Sequence, residues 1–352
     1  MRIITALPVA GVLLFAHLAI DAQRSDDGPE AERYRFNARS DLVFLPTRVQ
    51  KKNGDTLHGL RPEQFIVEDN GVRQPVQVEA APESSSLSIV VLVQCSRTAP
   101  STFANLKGLA TMIEGIVGNS RYEVAIVGYG ERPYVLGGFS GDAGAARTAL
   151  SRLTPCGDSS AATVDAVEYS VGLLRSRPKD YRRAILLVGE MRDHGSSARL
   201  NDAVADLGTT DTVIYSVAFS PVASQVKRDF RGRGGPQQKA RSAQGASDPI
   251  YTDRQPNLEL PPEILPMVNA LRQNTASELA SLSGGDYMSF NSRRAFDEDI
   301  QRVSNQIRNY YLLSFRPPAG SAVGLHSVRI RIAGNHGAVI QGRRTYWYGS
   351  AR

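Results

Sequence analysis

Two polar loops carry the residue types best suited to binding chemistry. The first begins Gln94-Cys95-Ser96-Arg97-Thr98, directly after the almost wholly apolar run 87–93. The second begins at Glu190, after the apolar run 184–188. Amide, hydroxyl and carboxylate oxygens can coordinate a hard divalent cation or hydrogen-bond a protein partner. These loops are therefore the candidate site.

The apolar runs before the loops have the pattern of strands buried on both faces of a parallel sheet. Further strands are predicted at 122–129, 134–139, 212–219 and 286–290. Apolar residues spaced by three to four predict helices between them, at about 103–116, 142–153, 163–176, 198–207, 263–282 and 294–309. This alternation predicts an α/β fold with a doubly wound, mainly parallel sheet. In such sheets ligands bind beyond the carboxyl ends of the strands, where strand order reverses.

Short β-type runs flank the α/β segment. Before it, apolar runs at 42–45, 65–67 and 76–78 are punctuated by Asn-Gly turns, and after it β patterns return at 310–315, 328–332 and 339–348. We expect the segments 33–82 and 310–348 to pair into one β-sandwich beside an α/β domain at 86–309.

The amino terminus has the pattern of a secretory signal peptide, with a positive start, an apolar stretch and a small residue before a cut after Ala22. We expect a secreted or periplasmic protein, or a membrane-anchored one if the segment is retained. The composition, 41% hydrophobic and 22% charged, is that of a globular chain. Much of the net charge of +6 lies in a basic, Gly-rich segment at about 221–261, which we expect to be a disordered surface insertion. Export argues against nucleic acid as its partner.

The order of these elements resembles the von Willebrand factor A domain, and the whole mature chain resembles VWFA-related exported proteins of the acidobacterial type. Three short motifs carry the resemblance. They are LRPEQFIVEDNG at 60–71, SGGDY at 283–287 and YLLSFRP at 311–317. The resemblance covers about 34–348 apart from the insertion.

The resemblance implies a cation held by an Asp-x-Ser-x-Ser loop, a Thr and an Asp from three loops. The matching positions in this chain are Gln94, Ser96, Thr98, Ser160 (or Ala161) and Glu190. Mg²⁺, Mn²⁺ or Ca²⁺ would meet two hydroxyls here, but Gln94 lacks the carboxylate charge and Arg97 adds a positive charge. We therefore predict a degenerate metal site with no resident cofactor.

Cys95 lies in the first loop and Cys156 just before the loop that contains Ser160. Both loops are expected above the same sheet edge, and these are the only cysteines in an exported chain. We predict a Cys95–Cys156 disulfide that joins the loops a metal would otherwise hold. The predicted partner-binding residues are Arg97, Asp158, Glu190 and Asp193.

The preferred function is a non-enzymatic protein-binding or adhesion module with a protein or cell-envelope partner. The alternative is a structural envelope protein whose basic insertion binds anionic surface polymers. A hydrolase would need His194 to serve Ser159 as a base, and we expect Ser159 and Ser160 to be turn and helix-capping residues instead. The sequence has neither a phosphate-cradling loop nor a Cys/His cluster with zinc spacing.

Overall fold

A computed structural model of the chain describes residues 42–79, 86–97, 99, 106–117, 122–178, 181–198, 200–219, 273–307, 309–334 and 337–349. The predicted signal peptide, the basic insertion and Thr98 lie outside the described residues. Within the described ranges, no helix is long and apolar enough to cross a membrane.

The amino-terminal segment contains four strands: β1 (Val43–Gln50), β2 (Phe65–Asp69), β3 (Val72–Gln74) and β4 (Gln77–Glu79). A tight turn at Asn70-Gly71 joins β2 to β3 as an antiparallel hairpin. Both turn residues adopt positive φ angles, 46° and 82°, which Asn and Gly tolerate best. The Asn-Gly signal thus marks a hairpin in the structure, as its sequence predicts.

The α/β unit contains six strands in one sheet. They are β5 (Leu87–Gln94), β6 (Tyr122–Tyr129), β7 (Pro133–Ser140), β8 (Arg182–Glu190), β9 (Thr212–Phe219) and β10 (Tyr287–Phe290). Their order is β10-β9-β8-β5-β6-β7, and all neighbours are parallel except β6 and β7. The chain winds outward from β5 to one edge, returns to β8 beside β5, and winds to the other edge. Strand order therefore reverses between β5 and β8, which places the loops after them together.

Helices cover both faces of this sheet. They are α1 (Leu106–Val117), α2 (Ala143–Ser151), α3 (Thr163–Arg175), α4 (Leu200–Gly208), α5 (Thr275–Ser283) and α6 (Arg293–Gln306). The pleat of β5 sends Ile89 and Val91 into the core beneath α1, α2 and α6, and sends Val90 and Leu92 into the core beneath α3, α4 and α5. Burial on both faces explains the continuous apolar sequence of β5.

The carboxy-terminal segment adds β11 (Tyr311–Phe315), β12 (Gly324–Ile332), β13 (Val339–Gly342) and β14 (Thr345–Tyr348). Strands from both ends of the chain share two four-stranded sheets, ordered β13-β1-β11-β4 and β14-β12-β2-β3. Leu45, Val67, Leu313, Phe315 and Tyr346 pack in one core between them. The flanking β-sandwich that the sequence predicts is therefore present, built from both terminal segments.

One β run of the sequence is divided in the structure. The segment 339–348, predicted as a single strand, forms β13 in one sheet and β14 in the other. Arg343 lies at the crossing with only 3% of its surface exposed, and its guanidinium donates hydrogen bonds to the carbonyls of Leu207 and Thr210. The alternating sequence pattern does not reveal that this side chain is buried against α4, and burial lowers the pKa of Arg343.

Candidate functional site at the carboxyl edge of the sheet

Three loops meet beyond the carboxyl ends of the central strands, and we call them together the loop edge. They are residues 94–97 after β5, residues 156–161 before α3, and residues 190–196 after β8. The second loop is bound to the first by the backbone amide of Arg97, which donates to Asp158 O at 2.9 Å. It is bound to the third by two reciprocal backbone hydrogen bonds of 2.8 Å between Ala161 and His194. The three loops thus form one connected surface.

A disulfide reinforces this connection. Cys95 in the first loop is bonded to Cys156 in the second, across a sequence separation of 61 residues. The backbone amide of Cys156 also donates to Cys95 O at 2.9 Å. The pairing expected from the sequence is therefore present in the structure, and it joins two of the three loops covalently.

Gln94 lies at the centre of the loop edge and is fully buried. Its Oε1 accepts a hydrogen bond of 2.7 Å from the backbone amide of Glu190, so the other end of the amide group must be the nitrogen. That nitrogen donates to Ser96 Oγ at 2.6 Å and to Glu190 Oε1 at 3.0 Å. Gln94 therefore links the first and third loops by direct hydrogen bonds.

This arrangement does not fit a divalent cation bound between the same residues. A cation needs lone pairs from carboxylate, hydroxyl or carbonyl oxygens. Here two N–H groups of Gln94 face Ser96 Oγ and Glu190 Oε1, and the oxygen of Gln94 faces a backbone N–H. Three of the oxygens that would coordinate the ion, Gln94 Oε1, Ser96 Oγ and Glu190 Oε1, accept hydrogens from the chain itself.

Glu190 has a second polar contact at the loop edge. It is 2% exposed, and its Oε2 lies 3.3 Å from Nε2 of His194, whose side chain is about half exposed. The imidazole of His194 therefore pairs with Glu190 through one of its two ring nitrogens. Gly189 permits the close packing beneath this group, because a Cβ there would overlap the Tyr129 hydroxyl and approach Gln94 Oε1 to 3.0 Å.

Asp193 stabilises the start of α3. Its Oδ1 accepts a hydrogen bond of 3.0 Å from the backbone amide of Val164, and Ser196 Oγ accepts from the amides of Val164 and Asp165. No side-chain cap comes from Ala162 at the N-cap position. The prediction that Ser159 and Ser160 cap this helix is therefore wrong, because the third loop supplies the acceptors across space.

Arg97 and Asp158 lie on the outer side of the loop edge. The exposed guanidinium of Arg97 donates to the carbonyl of Gly157 at 3.1 and 3.3 Å. Asp158 is half-buried, and its Oδ2 accepts from the backbone amide of Glu131 at 2.9 Å. Burial, and next the charge of Asp158, raise the pKa of the neighbouring Tyr134.

The structure brings most of the predicted site residues together. Gln94, Ser96 and Glu190 form one hydrogen-bonded group, whereas Ser160 lies half-buried beside Gly195, in the part of the second loop that faces the third. His194 and Ser196 have structural roles that were not predicted from the sequence. His194 pairs with Glu190 four residues earlier, and Ser196 pairs with Asp193 three residues earlier. This short spacing is the local signal from which the two pairs could have been predicted.

No protein-family model matches the sequence, and no curated protein matches it. Some solved structures are similar to this chain at low sequence identity. Proximal thread matrix protein 1 from the mussel byssus, with a zinc-occupied MIDAS motif, is 11% identical over 68% of this chain, with a TM-score of 0.44. The match spans only 50% of that protein's length.

Two bacterial structures are similar in the same way. An aerotolerance-related membrane protein from Bacteroides fragilis is 14% identical over 62% of this chain and 99% of its own, with a TM-score of 0.38. A minor pilin from Streptococcus sanguinis is 12% identical over 65% of this chain and 63% of its own, with a TM-score of 0.39.

The topology itself identifies the fold. Five parallel strands and one antiparallel edge strand reverse their order between β5 and β8, helices cover both faces, and three loops converge at that point. The α/β unit of this chain therefore has the strand order and the helix layers of a von Willebrand factor A-like fold.

Proposed function

We propose that this chain is an exported, non-enzymatic protein-binding or adhesion module that contacts its partner through the loop edge without a resident divalent cation. The observation that carries the proposal is the direct hydrogen bonding of Gln94 to both Ser96 and Glu190. Export rests on the signal-peptide pattern of residues 1–22.

The loop edge is suited to binding because it is ordered before a partner arrives. The disulfide, the Gln94 group and the Ala161–His194 backbone pair restrict the three loops. Ordering loops during association costs free energy, so loops that are already fixed retain more of the contact energy as affinity.

Exposed arginines at and near the loop edge can pair with carboxylates on a partner surface. Arg97, Arg132 and Arg192 are exposed on the loops at this end of the sheet. Arginine is enriched among the residues that dominate binding energy, and its planar guanidinium matches carboxylates. Arg97 is the best candidate anchor, since the Gly157 carbonyl holds its guanidinium in place.

Capture from a native cell-envelope extract tests the proposal. The mature chain is immobilised as wild type, as Arg97→Ala and as Arg175→Ala, the last at the opposite end of the sheet. We expect Arg97→Ala to weaken capture about tenfold or more, as for a dominant interface residue, and Arg175→Ala to leave capture unchanged.

Two further capture experiments, one with a chelator and one with a deletion, distinguish the loop edge from a bound cation and from the basic insertion. Chelator should leave capture unchanged, and a loss would refute the cation-free part of the proposal. Deleting 225–245 should also have no effect. The structural envelope alternative predicts two different results. The deletion would abolish capture, and capture by the undeleted chain would weaken steeply as the salt concentration rises, because the basic insertion would then be the binding element.

A further inference from the structure

Three side chains on the outer part of the loop edge have the chemistry and the proximity of a zinc site. The Sγ atoms of Cys95 and Cys156 and a carboxylate oxygen of Asp158 all lie within 4.8 Å of one another. In the structure the two sulfurs form the disulfide. We propose that, when this disulfide is reduced, Cys95, Cys156 and Asp158 bind one Zn²⁺ ion.

The ligands are held in place by bonds other than the disulfide. The amide of Cys95 donates to Tyr129 O at 2.7 Å, that of Cys156 to Cys95 O at 2.9 Å, and that of Arg97 to Asp158 O at 2.9 Å. Asp158 Oδ2 accepts from the amide of Glu131 at 2.9 Å. Reduction breaks none of these four hydrogen bonds, so the thiols and the carboxylate stay close together.

The ligand set selects zinc over the cations of the family site. Zinc binds thiolates at about 2.3 Å and carboxylate oxygens at about 2.0–2.2 Å, so its ligand atoms lie roughly 3–4 Å apart. Thiolates are poor ligands for Mg²⁺ and Ca²⁺. Cys156 and Asp158 are half-buried, which leaves a path for the ion and a fourth position for water.

Conversion of the disulfide into the zinc-bound form requires two electrons and one zinc ion. A thiol reductant supplies two electrons and two protons that convert the disulfide into two thiols, and zinc then displaces both protons as the thiolates bind it. An oxidant removes two electrons, re-forms the sulfur–sulfur bond and releases the ion. The first two loops are thus joined by a disulfide under oxidising conditions and by zinc under reducing conditions. The zinc proposal does not require the proposed partner, although both use Asp158.

Zinc titration tests the inference. The chain is reduced without oxygen, freed of reductant, and titrated with ZnCl₂ against a chromophoric chelator, beside the oxidised chain. We expect about one zinc per reduced chain with release of two protons, and no comparable binding by the oxidised chain. Circular dichroism follows the fold throughout.

Matched variants identify the ligands. Cys156→Ser should abolish stoichiometric binding, and Asp158→Asn should weaken it about tenfold or more. Asp55→Asn, at an exposed aspartate of the amino-terminal segment, should bind zinc like the wild type. The inference fails if the reduced chain binds no more zinc than the oxidised one, if reduction unfolds the chain, or if Asp158→Asn binds normally.

Discussion

Gln94 and Glu190 are joined by a reciprocal pair of hydrogen bonds across the point where strand order reverses. The backbone amide of Glu190 donates to Gln94 Oε1 at 2.7 Å, and Gln94 Nε2 donates to Glu190 Oε1 at 3.0 Å. The neutral amide can donate to the glutamate, which a carboxylate at position 94 could not do. The neutral amide at position 94 thus makes a direct bond between the two strands possible.

Replacing Gln94 by its isosteric acid tests this relationship. In Gln94→Glu the donor to Glu190 is lost, and two carboxylates face each other in a buried site. We expect the free energy of unfolding to fall by about 1–3 kcal/mol and Mg²⁺ to recover part of the loss. Urea unfolding with and without Mg²⁺ measures both effects.

The matched control is Gln301→Glu on the exposed surface of α6, which should change stability little. The wild type should show no gain with Mg²⁺. A wild-type gain, or a Gln94→Glu variant as stable as the wild type, would contradict the role given to the amide.

The disulfide should contribute measurably to stability. Cys95 and Cys156 are 61 residues apart, so the bond removes considerable freedom from the unfolded chain. We expect reduction to lower the free energy of unfolding by about 2–4 kcal/mol while the chain stays folded. Urea unfolding with and without reductant measures the change. A Cys95→Ser, Cys156→Ser double variant should not respond to reductant, and a response would mean that reductant acts elsewhere.

The strands and turns that position the site could be predicted from local sequence patterns. The continuous apolar run 87–93 indicates burial on both faces, and the structure divides its side chains between two cores. The Asn70-Gly71 signal marks a hairpin because its backbone conformation is a local property. The doubly wound sheet and the two-ended sandwich follow from such signals and their order, whereas the von Willebrand factor A-like fold was expected from a resemblance.

The polar groups of the site could not be predicted in the same way. Asp193 caps α3 across a sequence separation of 29 residues, and no periodicity links the two segments. The direction of the Gln94 amide depends on a backbone amide of another strand. Arg343 is buried where the carbonyls of Leu207 and Thr210, from a distant part of the chain, accept its hydrogen bonds. These contacts depend on tertiary packing rather than on local propensity.

Asp286 should be the main polar link between the α/β unit and the sandwich. Its carboxylate accepts hydrogen bonds from Arg48 on β1, from Gln306 on α6 and from Gln341 on β13, at 2.8–2.9 Å. The Arg48 side chain is 8% exposed, so Asp286→Asn leaves a charge without its counter-ion. We expect a loss of about 2–4 kcal/mol in the free energy of unfolding.

The control for this prediction is an ion pair at the surface. Glu68 pairs with Arg331, whose side chain is 55% exposed, and Glu68→Gln should cost less than about 1 kcal/mol. Urea unfolding of both variants gives the comparison. Equal losses in the two variants would show that burial of Arg48 does not matter.

His326 should make stability fall as pH rises. Its Nδ1 lies 2.8 Å from Asp69 Oδ1 and its Nε2 lies 2.7 Å from the carbonyl oxygen of Ala322, so both ring nitrogens face acceptors and both carry hydrogen. The hydrogen bond to Asp69 raises the pKa of His326 above its ordinary value despite burial. The imidazolium therefore stabilises the fold fully below the unfolded pKa of about 6.5, and this contribution is lost as pH rises through the folded pKa.

Unfolding by urea at a series of pH values from about 5.5 upward measures this loss. His326→Gln should be less stable than the wild type at the acidic end by about 2–4 kcal/mol, because it leaves the Asp69 carboxylate without its cation, and its stability should vary less with pH. Tyr346 still donates to Asp69 Oδ2 at 2.8 Å in that variant, which limits the loss. His58→Gln, at an exposed histidine, should keep the wild-type dependence. If His326→Gln follows the wild-type slope above pH about 6.5, another group titrates and the buried imidazolium is not the cause.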